Sequence, residues 1–230
     1  MSFDVSTLPD VSALTVGILG GTGDQGRGLA YRMARAGQPI IVGSRTAERG
    51  AAAAAAIAAL PGVRGEVRGG TNAEAALAAD VVIIAVPWDG HAHTVAALRE
   101  PLRGKVVVDC VNPLGFDRQG AFALAVPEGS AAEQAAALLP DSRVCAAFHH
   151  VSAVLLTDPA VAKVDLDVLV LGDDAAAVAI VQALAARIDG VRGVNAGRLR
   201  NAGPVEALTA NLIAINRRYQ VHAGLRVTDL

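Results

Sequence analysis

The chain has 230 residues, 53% of them hydrophobic but only 3% aromatic, which allows a sizeable core built from Ala, Val, Leu and Ile. A formal net charge of −2 with no basic tail excludes an electrostatic nucleic-acid binder. No stretch reaches the roughly 18 apolar residues of a membrane span, and the N-terminal MSFDVSTLPDVSAL has neither the positive nor the apolar region of a secretory signal, so a soluble, cytoplasmic protein is expected.

Residues 1–13 read as an N-terminal extension. From Thr15 the sequence TVGILGGTGDQGRGLA is an apolar β-type run, then a glycine-rich turn, then a helical pattern with Leu29 and Met33 on one face and Gly37 at its end. Gly21, Gly23 and Gly26 stand in GxGxxG spacing. The first allows the tight turn, the second lets backbone approach a pyrophosphate, and the third lets helix pack on strand. Free amides and the helix dipole then favour an anion without any lysine. After the next strand, 39–42, an NAD site carries an acid about 20 residues past the glycines to hold the ribose hydroxyls. Here Gly43, Ser44 and Arg45 occupy that place, with Arg49 one helical turn on. A carboxylate would repel a 2′-phosphate, whereas a hydroxyl and guanidinium groups bind it, so NADP(H) is the expected nucleotide.

Further strands are expected over 64–68, 81–86, 105–111, 143–148, 167–171 and 191–195, several of them continuous apolar runs of the kind covered on both faces. Helices fit between most of them, at 47–60, 72–79 and 89–99. Ser130 with Glu133 forms a capping box opening a helix to Leu139, and Asp174 caps one ending near Ile188 before Gly190. Cys110 and Cys145 sit in apolar runs and read as buried thiols, with no disulfide or metal pairing. The last helix is expected to start at Pro204 and run to about Tyr219, its apolar Leu208, Leu212, Ile213 and Ile215 interrupted by Asn211 and Asn216. The pattern is α/β: a doubly wound Rossmann-type, mostly parallel sheet over 14–155, with a small helical C-terminal subdomain over 156–230.

In such a sheet the ligand lies beyond the carboxyl ends of the strands. After the fourth strand come Val86, Pro87 and Trp88, the only tryptophan, which is either a wall beside the nicotinamide or a residue packed on the subdomain. Asn112 and Pro113 follow the fifth, where an amide could bond a ribose or carboxamide, or simply form a turn. His149 and His150 end the sixth. A histidine in a cleft suggests proton transfer, but neither has a carboxylate close in sequence. His91 and His93, two apart, have poor metal-ligand spacing, and no metal site is expected.

Five segments in order, GGTGDQGRGLA, IIVGSRTAER, VIIAVPWDGH, AFHHVSA and VEALTANLIAINRRYQVHAGLR, resemble the NADPH-dependent reductases of the deazaflavin coenzyme F420. The resemblance implies that Thr22, Gly23, Asp24 and Gln25 lie under the pyrophosphate and that Ser44, Arg45 and Arg49 hold the 2′-phosphate. Val86, Gly90, Asn112 and Ala153 would line the nicotinamide riboside. His149, Val151 and Ser152 would touch the deazaflavin, with the turn at Ala223 and Gly224. Some relatives carry Pro in place of Ser152 and His in place of Gly90. The resemblance further implies a homodimer, a small-molecule deazaflavin partner, and hydride transfer between carbon 4 of the nicotinamide and carbon 5 of the deazaflavin. No catalytic residue is expected in such a reaction, which depends on proximity and orientation. Arg198, Arg200, Arg217 and Arg218 are candidates for holding the polyanionic tail. Two rivals stand beside this reading: an NADPH-dependent reductase of a small imine or carbonyl, for which only Lys105 and Lys163 could supply a catalytic lysine, and a non-catalytic NADP sensor.

Overall fold

The computed structural model describes residues 5–230, and the first four residues of the expected extension lie outside the described residues. Ten strands form: β1 (Val16–Leu19), β2 (Ile40–Ser44), β3 (Val67–Thr71), β4 (Val81–Ile84), β5 (Val106–Asp109), β6 (Leu114–Asp117), β7 (Gly120–Ala123), β8 (Arg143–Ala146), β9 (Leu166–Gly172) and β10 (Val191–Asn195). Eight of them make one sheet in the order β3-β2-β1-β4-β5-β8-β9-β10, and β6 and β7 pair as a separate hairpin. Every neighbouring pair in the large sheet is parallel except β8 with β9. This is the doubly wound arrangement, and strand order reverses between β1 and β4, where the crevice for a dinucleotide opens.

The helices are α1 (Asp24–Arg35), α2 (Ala47–Ala58), α3 (Asn72–Ala78), α4 (His91–Ala97), α5 (Arg99–Leu102), α6 (Ala131–Leu138), α7 (Ala153–Thr157), α8 (Ala175–Ala185) and α9 (Ala202–Tyr219). Alternate residues of each central strand serve opposite layers. Val16, Ile18, Val81, Ile83, Val106 and Val108 pack with Leu29 and Met33 of α1, Ile57 of α2 and Val181 of α8. Leu19, Val82, Ile84 and Val107 pack with Ala75 of α3, Val95 of α4 and Ala135 of α6. Both faces are covered, so the strands read as unbroken apolar runs.

Several boundaries differ from expectation, each for a local reason. β3 lies at 67–71 and not at 64–68, because the amides of Arg64 and Gly65 donate to the Ala34 carbonyl at the end of α1 and pairing with β2 begins at Val67; a Cβ on Gly69 would sit 2.1 Å from the carbonyl oxygen of Gly50. The glycines there are what let α2 rest on the strand. The expected helix over 89–99 is a 3₁₀ turn, Trp88–Gly90, followed by α4, and it breaks at Leu98 because the ring of Pro101 cannot follow a helical Ala97 carbonyl. Helix α9 starts at Ala202, two residues before Pro204. The hairpin of β6 and β7 was not expected. Its turn is held by Asp117, whose carboxylate accepts from the amides of Gln119 and Gly120 at 2.7 and 3.1 Å. The strands expected to reach Val86, Val111 and Phe148 stop at Ile84, Asp109 and Ala146, and the residues beyond them build the site.

Candidate active site

The turn between β1 and α1 is mostly glycine backbone, tied to its surroundings by backbone amides. Gly20 has φ +70, and a Cβ there would lie 2.8 Å from the Ala85 carbonyl oxygen. Its amide donates to Asn72 Oδ1 at 3.1 Å, the Gly21 amide to the Gly43 carbonyl at 3.0 Å, and the Gly23 amide to the Gly20 carbonyl at 3.0 Å. A Cβ on Gly26 would sit 2.7 Å from Gly21 Cα, so the third glycine brings α1 against the turn. Gly23 caps α1 with no side-chain bond, which leaves first-turn amides to meet an anion. Thr22, Gln25 and Asp24 sit at this helix entrance, Asp24 exposed and 3.4 Å from Arg27.

At the end of β2, Thr46 caps α2 by accepting from the Arg49 amide at 3.4 Å. Arg45 and Arg49 flank that cap with exposed side chains. Ser44 is only 3% exposed, so of the three residues expected around a 2′-phosphate the two arginines present side chains to solvent.

Across the switch point, the segments after β4, β5 and β8 form the opposite wall. Val86 is buried, Pro87 exposed, and Trp88 half-buried with its ring stacked on His91, centroids 5.5 Å apart. Gly90 stands in open space, where a Cβ would meet nothing nearer than Thr94 Oγ1 at 4.0 Å, so a larger side chain fits there. Pro113 is buried. Asn112 Nδ2 donates to the His149 carbonyl at 2.8 Å, and Thr209 Oγ1 of α9 donates to the same oxygen at 3.0 Å. Gln25 Nε2 of α1 donates to the Phe148 carbonyl at 3.1 Å. Phe148 itself has φ +66 while wholly buried, a left-handed conformation that costs a bulky residue about 1–3 kcal/mol. That bend turns the chain out of β8 so that its carbonyls meet Gln25, Asn112 and Thr209.

These groups enclose a recess of about 230 Å³, lined by Gln25, Asn112, His149, His150, Val151, Ser152, Ala153, Thr209, Leu212, Ile213, Asn216 and Ala223. Asn112 Oδ1 and both ring nitrogens of His149 are buried there without a protein partner among the described residues. Burial lowers both imidazoles to about 4, so His149 and His150 are neutral at physiological pH. Ala223 is fixed by its amide, which donates to Asn216 Oδ1 at 2.6 Å, and Gly224 turns against Leu166.

Other groups were not foreseen. His91, set aside as a metal ligand, is fully buried, with Nε2 2.6 Å from Asp109 Oδ2 and Nδ1 2.9 Å from Gln134 Oε1. Asp109 Oδ1 accepts from the Val111 amide at 3.0 Å and so shapes the strand end that carries Asn112. His93 is exposed, and among the described residues no three His, Cys, Asp or Glu side chains are placed to hold a metal. Cys110 and Cys145 are free and buried, and burial raises both thiols. Asn72, Asp109 and Thr209 lay inside segments that read only as element ends or helix face. Lys105 donates to the carbonyls of Ala76, Leu77 and Ala79 at the end of α3, and Lys163 is exposed in a loop, so neither lines the recess. Of the four tail candidates, Arg198 is 3.7 Å from Asp173, Arg200 is exposed, and Arg217 and Arg218 line a cavity of about 580 Å³ that shares Ile213 with the recess.

A glycine turn with free first-turn amides, a basic edge where an NAD site has an acid, and a neutral recess at the switch point are the features of a dinucleotide-dependent oxidoreductase of the Rossmann class. The family model described as "NADP oxidoreductase coenzyme F420-dependent" matches residues 15–113. The chain is 41% identical to the F420-dependent NADP reductase of Methanothermobacter thermautotrophicus over 226 residues, 96% of this chain and 97% of that protein. It is 39% identical to the enzyme of the same name from Methanocaldococcus jannaschii over 223 residues, 94% and 99% of the two chains. A crystal structure of a candidate F420-dependent NADP reductase from Arthrobacter sp. FB24 superposes with a TM-score of 0.76 at 27% identity, covering 94% of this chain and all of that one. The chain belongs to the family of coenzyme F420-dependent NADP reductases.

Proposed function

We propose that the chain is an NADPH:coenzyme F420 oxidoreductase whose glycine turn and arginine edge bind NADP(H) and whose recess takes the deazaflavin ring. The observation that carries this is the recess itself, which opens beside the nucleotide turn and is lined by amides, small residues and two neutral imidazoles. The two ligands supply one hydride, exchanged between carbon 4 of the nicotinamide and carbon 5 of the deazaflavin. The protein holds, orients and keeps water out.

On this reading the Gly21 to Gly26 turn, with Thr22, Asp24 and Gln25, holds the pyrophosphate, and Ser44, Arg45 and Arg49 hold the 2′-phosphate. Val86, Pro87, Trp88, Gly90, Asn112, Pro113 and Ala153 line the nicotinamide side. His149, Val151 and Ser152 meet the deazaflavin. Asn112 Oδ1 and the His149 ring nitrogens fit these roles, since each is a buried polar atom lacking a hydrogen-bond partner among the described residues. Residues 14–155 then form the NADP domain, and 156–230 complete the deazaflavin site through Thr209, Leu212 and Asn216. The exposed Phe116, Phe122 and Leu124 of the hairpin region supply the face of a homodimer, and the cytoplasm, with its NADP(H) pool, is the setting.

The test is isotopic. NADPH with deuterium on the transferred face of carbon 4 should deliver it to the reduced deazaflavin with none lost to water, and FMN should be a poor acceptor. Label appearing in solvent, or FMN reduced as fast as the deazaflavin, would remove the two-ring transfer.

A further inference from the structure

About 18 Å from the glycine turn, at the far end of α1, four arginines converge on a cavity of about 620 Å³ at the amino-terminal edge of the sheet. We propose that this cavity is a second anion site, which takes a small molecule carrying two or more phosphate or carboxylate charges. Arg32, Arg35, Arg64 and Arg187 line it, and Asp189 is the only carboxylate among the lining residues. None of the four forms an ion pair among the described residues.

Helix capping accounts for part of this charge and leaves the rest. Arg64 Nε donates to the Arg35 carbonyl at 2.8 Å and Arg187 Nη2 to the Ala36 carbonyl, which closes the C-terminus of α1. Arg32 is spent on the carbonyls of Leu155, Leu156, Asp158 and Val161. Arg35 caps nothing. Its Nη1 and the Nε of Arg187 are buried donors without an acceptor among the described residues. Such donors are costly unless an acceptor meets them. The Tyr31 ring, with Arg32 and Arg35 Cζ atoms 5.5 and 5.7 Å from its centroid, braces two of the guanidinium groups beside one another. Arg32 is held below its usual range first by burial and then by the charge of Arg35, against the opposing influence of Tyr31, Asp158 and Asp189. A planar guanidinium matches phosphate and carboxylate alike, so the geometry selects multiple negative charge and size, not one acid.

The site is tested on the NADP⁺-saturated protein, so that the glycine turn and the 2′-phosphate edge are filled. Inorganic pyrophosphate and citrate are each titrated by calorimetry. One of them, or both, should bind saturably at one site per chain, and the stronger ligand identifies phosphoryl or carboxyl groups as the preferred chemistry. Arg35→Ala and Arg187→Gln should each weaken that binding at least tenfold while leaving NADPH affinity and the melting temperature of Arg35→Ala within error of the parent. Absence of saturable binding by both anions, or binding that Arg35→Ala and the correctly folded Arg35→Gln leave unchanged, would overturn the proposal.

Discussion

Replacing Arg45 by alanine is expected to weaken NADPH about 10- to 30-fold and to leave NADH within twofold. Arg45 precedes the Thr46 cap of α2, is exposed, and makes no ion pair among the described residues, so the fold does not depend on it. Because the side chain is exposed, a phosphate beside it remains in a high dielectric. Two unit charges 4 Å apart in water attract by about 1 kcal/mol, and a phosphate dianion doubles this to about 2 kcal/mol. Salt near 0.1 M, with a Debye length of about 10 Å, removes roughly a third. The loss is then about 1.3 kcal/mol at that salt and about 2 kcal/mol at low salt, the stated factor in Kd. Arg49, on the other side of the cap, should contribute similarly, and the double variant should lose more than either single variant, with a coupling term because both side chains meet one phosphate. The assay is nucleotide titration with NADPH and NADH, paired with kcat/KM for deazaflavin reduction, at two ionic strengths. Equal losses for both nucleotides would assign Arg45 to folding or general attraction and refute its place at the 2′-phosphate.

Three further outcomes follow from the same geometry. His149→Ala should raise KM for the deazaflavin and leave kcat within a few-fold, because a ring neutral above about pH 4 gives no proton in the working range; a fall in kcat of about 10² or more at saturation would indicate acid catalysis. Arg32→Met leaves the carbonyls of Leu155, Leu156, Asp158 and Val161 without their donor, and should destabilise by about 3 kcal/mol or more and raise KM for the deazaflavin through displacement of α7, with denaturant midpoints and KM as readouts; an unchanged midpoint would show the clamp to be dispensable. Glu206, whose carboxylate accepts from the Ala131 and Ala132 amides, is raised from 4.5 to about 7, chiefly by burial, so the folded chain binds more protons than the unfolded one between those values and stability falls as pH rises through them. For His91, burial is outweighed by the Asp109 bond and charge, so its contribution is present below the unfolded value of 6.5 and lost as pH rises through its higher folded value. The melting temperature should therefore drop as pH rises above 6.5, past the range in which the buried His149 and His150 contribute the opposite slope, less steeply in Glu206→Gln, and a flat or rising profile there would contradict both assignments.

The sheet was legible because its strands are apolar on both faces and its first turn needs glycine, both consequences of close packing that composition records directly. Asp174 and Ser130 marked their helix starts for the same reason: a side-chain oxygen must meet an orphan amide, and each does so, accepting from Ala177 at 2.7 Å and Glu133 at 3.0 Å. Gly20 was overlooked beside Gly21, although it carries the positive φ of the turn. The hairpin left a fainter trace, a single Asp117 ahead of Gly120. Asp109 and His91 left none, since 18 residues separate two side chains whose pairing depends on β4 and α4 returning beside β5.

The recess was harder to read for a deeper reason. Its polar surface is made largely of backbone carbonyls aimed by side chains from other elements: Gln25 on Phe148, Asn112 and Thr209 together on His149. A carbonyl has no residue type, so no spacing rule announces it. Phe148 makes the point most sharply, because nothing in its identity signals a left-handed bend, and it adopts one where its ring is buried and its own carbonyl and that of His149 are both bonded. Hydride transfer asks for two rings held in place, not for a proton carrier, so a site suited to it is built from position and not from reactive side chains. The residues that do carry recognisable chemistry, Arg45 and Arg49, flank the Thr46 cap after β2, where on the proposed reading charge decides between NADP and NAD and takes no part in the transfer.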